Sequence, residues 1–110
     1  MLSISDSEYR QNVAKILQGA IERPTMYYHE LRELEFLLLG HWMAYEQLCG
    51  LAMEKSFRWC FSEWLYKTKS LSGAAGWAHA VTRLAKETGR DPDLLFAELV
   101  NEFLPQWTAT

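Results

Sequence analysis

Arg23-Pro24-Thr25-Met26-Tyr27 separates two strongly helical stretches, and its reading decides the fold. Pro24 has no amide proton and its ring clashes with the preceding turn, so the helix before it must end there. Met26 and Tyr27 are large, unlike the small polar residues of an ordinary connector, so the break is expected to pack inward or to meet a partner. Upstream, Ser5 and Glu8 have the spacing of a capping box. Tyr9, Val13, Ile16, Leu17, Ala20 and Ile21 then recur at steps of three and four, which predicts an amphipathic helix ending near Arg23.

Downstream, residues 30–49 predict a second helix, capped by Gly50. Leu31, Leu34, Leu38, His41, Tyr45 and Leu48 form one row, widened by Leu37, Ala44 and Cys49. Few charges follow Glu35, so this helix is expected to be central and covered on most sides. Gly40 in its middle costs about 1 kcal/mol relative to alanine, which predicts the close approach of another helix there. Residues 56–67 predict a third helix, with Phe57, Cys60, Phe61, Trp64 and Leu65 on one face. A polar connector over 67–73 leads to a fourth helix over 74–88, which Gly89 ends. Asp91-Pro92 opens the last helix, with aspartate capping and proline at the first helical position. Pro105 is expected to close it, leaving 106–110 loose apart from Trp107. No run alternates with a period of two, so the class is all-α, an irregular bundle of about five helices in one domain over residues 1–110.

At 110 residues the chain can bury roughly 65% of its extended surface, enough for a core without staples. An apolar fraction of 49% and five tryptophans supply that core and exclude a disordered chain. The net charge of −3 argues against a nucleic-acid binder and for a basic partner. Cys49 and Cys60 lie in apolar helical contexts and read as reduced thiols of a cytoplasmic protein; a structural disulfide is the other reading. The start, Met1-Leu2-Ser3-Ile4-Ser5-Asp6, has neither a basic opening nor an apolar run, so no secretory signal is expected. The most apolar window, residues 36–44, is about half the ~20 residues that span a bilayer.

No catalytic constellation is legible. His29-Glu30-Leu31-Arg32-Glu33 lacks the second histidine of a metalloprotease helix, so His29 and Glu33 read as a helix-start ion pair, and neither a metal nor another cofactor is expected. His41, in the apolar row, reads as a core residue with one hydrogen bond. Ser72-Gly73-Ala74-Ala75-Gly76-Trp77 is a small-residue helix entry without the lysine of a phosphate loop. Its glycines read as sites of tight packing. The functional alternative is a small enzyme or ligand-binding domain that uses His41 and the Gly73-to-Trp77 entry. Acidic residues gather at the start of the second helix and along the last one. Complementing helix dipoles explains such a pattern at about 0.3–1 kcal/mol each, and so does an acidic face for a basic partner.

Four motifs carry a resemblance: Arg23-Pro24-Thr25-Met26-Tyr27, Leu37-Leu38-Leu39-Gly40, Phe61-Ser62-Glu63-Trp64, and the Ser72-to-Trp77 entry. In this order the chain resembles small bacterial toxin-immunity proteins, including all-helical immunity proteins of contact-dependent growth-inhibition systems. Relatives of this kind usually follow the tyrosine of the first motif with Leu-Gly, where this chain has Tyr28-His29. The resemblance implies an inhibitor rather than a catalyst. It implies a cytoplasmic protein that binds the toxic domain of a cognate effector; some members of the group neutralise ribonucleases. A nuclease cleft is basic, so an acidic surface with aromatic anchors would occlude it. On that reading Tyr27, Tyr28, Glu30 and Glu33 are the first candidates for partner binding, and Asp91, Asp93, Glu98 and Glu102 the second.

Overall fold

The computed structural model describes residues 5–109. Residues 1–4, read above for a leader, and residue 110 lie outside the described residues. The helices are α1 (Asp6–Glu22), α2 (Pro24–Tyr27), α3 (Leu31–Cys49), α4 (Phe57–Lys69), α5 (Trp77–Thr88) and α6 (Pro92–Thr108), with one 3-10 turn at Met53–Lys55. No strand occurs among the described residues, and the fold is all-α.

Local chemistry sets the helix ends. Ser5 Oγ accepts from the Glu8 amide at 3.1 Å, and Ser56 Oγ from the Trp59 amide at 3.2 Å. Asp91 Oδ1 accepts from the Asp93 amide at 2.8 Å, with Pro92 at the first position of α6. Each bond satisfies an amide that has no partner within its helix. Gly50 and Gly89 end α3 and α5 in the left-handed conformation, at φ 69° and 67°.

Aromatic rings make the centre of the core. Trp77, fully buried at the start of α5, stacks on Phe96 of α6 at 5.1 Å and meets the edges of Phe57 and Phe61 of α4, each at 5.7 Å. Offset and edge-on contacts of this kind each add about 0.5–1.5 kcal/mol beyond area burial. Phe103 and Trp107 extend the cluster along α6. Tyr9 joins α1 to it: its hydroxyl accepts from the Phe57 amide at 2.9 Å, and burial pushes its pKa up to about 12.

Four expectations are corrected. Pro105 does not close α6, which runs to Thr108. Trp107 is buried and packs on Phe103, Phe57 and Tyr9, so the ring contacts outweigh the lost backbone bond. The fourth helix begins at Trp77 rather than at residue 74, because Gly76 takes φ 95°, outside any helix. The break after Pro24 holds a four-residue helix with Met26 72% exposed, so that residue does not pack inward.

The fourth correction concerns α3, which is covered on one side only. Phe36, Leu37, Met43, Ala44 and Leu48 are exposed, and a Cβ at Gly40 would meet nothing within 4 Å. A chain of this size has too few helices to surround a central one. The close helix–helix approach lies instead at the entry to α5. There a Cβ on Gly76 would fall 2.5 Å from the Glu35 carboxylate, and one on Gly73 would fall 3.1 Å from Ser62 Cβ.

Trp77→Ala should cost about 3–5 kcal/mol in urea unfolding followed by circular dichroism. Trp59→Ala, on an indole that is 42% exposed, should cost less than about 1 kcal/mol in the same assay.

Candidate partner-binding surface

The expected acidic residues fall into two groups once their neighbours are known. Residues 27–33 form the corner from α2 into α3, and residues 91–93 form the start of α6. The Tyr28 hydroxyl donates to Asp93 Oδ1 at 3.0 Å and ties the two segments together. Burial, reinforced by the bond to Asp93, holds the Tyr28 hydroxyl well above the ordinary tyrosine range. Tyr28 is 7% exposed and forms part of the core, so it does not stand on the surface as the anchor expected of it. Tyr27 does remain exposed, and its ring lies against Gly19 of α1, where a Cβ would collide with the hydroxyl.

Glu30 and Glu33 form a reciprocal cap on α3, each side chain accepting from the other's backbone amide. Glu33 Oε1 accepts from the Glu30 amide at 2.9 Å and from the His29 amide at 2.8 Å. Those two bonds lower the Glu33 pKa below its ordinary value, and the nearby His29 adds a smaller effect in the same direction. The helix-start ion pair expected of His29 and Glu33 does not form among the described residues; Glu33 takes the His29 backbone amide instead. Asp91 caps α6, and Asp93 receives the tyrosine. All four carboxylates hold a helix start or a tyrosine, yet none forms an ion pair among the described residues.

Glu98 and Glu102 differ. Glu98 pairs with Arg90, and Glu102 with Lys69 at 3.2 Å. Their charge is compensated within the chain, so the acidic surface stops after the first turn of α6.

A cleft of about 710 Å³ opens beside the Tyr28–Asp93 junction. Glu30, Glu35, Arg58, His79 and Asp93 are among its lining residues. Glu35 is the residue that sequence reasoning missed. It is 8% exposed, accepts from the Ala78 amide at 3.4 Å, and lies against Gly76. The spacing Leu31, Leu34, Leu38 placed it beside the apolar row, and the adjacent small-residue entry of α5 was the available signal. Its carboxylate takes the place beside the first amides of α5 where an anion would bind.

His41 does not line this cleft. It packs between Tyr9, at 5.9 Å, and Tyr45, at 4.9 Å. Burial lowers its pKa, and its Nδ1 is buried without a hydrogen-bond partner, not with the single bond expected. Cys49 and Cys60 are free thiols bonded to the carbonyls of Tyr45 and Glu54. No helix among the described residues is long and apolar enough to cross a membrane.

Because the folded state lowers the Glu33 pKa, this cap stabilises the protein above the ordinary carboxylate range and is lost as pH falls through the lowered value. Glu33→Ala should therefore lower the melting temperature at neutral pH, and the deficit should shrink steadily on acidification, as read by thermal circular dichroism. A scan of the chain against models of known families finds no match, and neither does a search of curated proteins or of solved structures.

Proposed function

We propose that this chain is an immunity-type inhibitor that binds a cognate toxin domain and occludes its basic active-site cleft, with no catalytic step of its own. One observation carries the reading. The Tyr28–Asp93 bond joins the corner that holds Tyr27, Glu30 and Glu33 to the start of α6 with Asp91 and Asp93, four acids that form no ion pair among the described residues. Met26 and Leu94, 72% and 65% exposed, flank them. An acidic surface with apolar anchors fits a cationic nucleic-acid cleft, speeding encounter through charge and holding on through the anchors.

The caps matter to this use as much as the charges do. Each acid is fixed in place by a backbone amide or by Tyr28, so little side-chain freedom remains to be lost on binding. A nuclease toxin offers phosphate-binding lysines and arginines, and positioned carboxylates would meet them as phosphates do. The small-molecule reading through His41 and residues 73–77 has less support, because His41 packs among tyrosines and Glu35 fills the helix entry.

Co-expression with the C-terminal domain of an effector encoded beside this chain tests the proposal, and the absence of any such neighbour counts against it. The native chain should restore growth and co-purify with the toxin. Glutamine retains the capping bonds while removing charge, so Glu30→Gln/Glu33→Gln should fold normally. It should bind about tenfold more weakly at low salt, with the difference closing as salt rises. Continued killing with the native chain, and no co-purification, rejects the proposal.

A further inference from the structure

The exposed side of α3 carries a seam that starts at the cleft beside the acidic surface, which Arg32 and Phe36 help to line, and runs away from it along the helix. Arg32, Phe36, Leu39, Met43 and Glu46 follow one another at steps of four, three, four and three. That is the spacing with which one helix lays a continuous ridge against another. Phe36 and Met43 are 56% and 48% exposed, and Leu39 sits half-buried between them. The ridge is apolar in the middle and oppositely charged at its ends. Arg32 lies over the Phe36 ring, 5.5 Å from its centroid, and forms no ion pair among the described residues. The Glu46 side chain likewise meets no cation among the described residues. The two charges are about 21 Å apart along the helix.

A ridge with this pattern complements itself when reversed. We infer that it docks against the same ridge of a second copy of this chain, antiparallel about a two-fold axis at Leu39. About that axis Arg32 faces the partner's Glu46 and Leu39 the partner's Leu39, while Phe36 and the partner's Met43 lie one residue, about 1.5 Å, out of line and still adjoin. Both charges find opposite partners, and the thioether–ring layer is a favourable contact. Every contact away from the axis occurs twice, as a two-fold interface requires. A parallel pairing would instead set Arg32 against Arg32 and Glu46 against Glu46.

The surface beside the ridge is large enough. Leu39 also lines an apolar groove of about 450 Å³ with Met53, Trp59 and Tyr66, which are 51%, 42% and 66% exposed. With about half of each large side chain uncovered, ridge and groove together offer on the order of 500 Å² of apolar surface. A standard interface covers about 800 Å² per partner, a little over half of it apolar, so this apolar area is of the order required. Gly40, with open space beside it, lets a second helix come close. This interface goes beyond the toxin-binding reading and does not depend on it.

Light scattering coupled to size exclusion, over about 1–100 µM, tests the inference through mass alone. The native chain should approach twice its 12.8 kDa mass. Arg32→Glu and Glu46→Arg should each weaken the dimer about tenfold or more, and the combination of both should restore it. Met43→Glu should give a monomer whose circular dichroism matches that of the native chain. A native chain that is monomeric throughout the range overturns the inference. A combined variant no tighter than either single one overturns the antiparallel register. Protection against a toxin is read separately by growth, so failure of one assay does not stand for failure of the other.

Discussion

The stack of Trp77 on Phe96 is the contact on which the other arrangements depend. It fixes the first turn of α5 against α6 while Phe57 and Phe61 close on its edges from α4. With that turn held, Gly76 comes against Glu35, and α3 is positioned by its own buried carboxylate. Tyr9 then attaches α1 through the Phe57 amide. Four helices are thereby referred to one indole, in a chain whose core is too small for many independent contacts.

Glu35 shows how polar groups are accommodated inside such a core. A buried acid is costly unless it is hydrogen-bonded, and the amide end of a helix is the least costly place for it. Only glycine at position 76 lets the carboxylate come so close. The surface acids follow the same economy on the outside, since Glu30, Glu33 and Asp91 each complete a helix start while keeping their charge toward solvent. Their structural role as caps is therefore compatible with the recognition role proposed for them.

The helical class and most helix ends were legible because they rest on local chemistry: Ser5, Gly50, Gly89 and Asp91-Pro92 each act within a few residues of themselves. What was not legible depends on distant partners. Pro105 reads as a terminator, and only the burial of Trp107 against rings from α1 and α4 carries the helix past it. Leu37, Ala44 and Leu48 have the periodicity of a core face, but periodicity does not say whether another helix is present to cover them. Within the candidate surface, the acids could be named from sequence. Tyr28's burial, its bond to Asp93, and the ion pairs of Glu98 and Glu102 required the tertiary fold.

The tryptophans are divided unequally between interior and surface. Trp42, Trp64, Trp77 and Trp107 are each less than a tenth exposed, whereas Trp59 stands on the outer side of α4. In a single copy of the chain, a collisional quencher such as iodide therefore reaches one emitter among five. The long-wavelength edge of the intrinsic fluorescence belongs to that single site, and the protein carries its own optical label on the face where α3 and α4 meet.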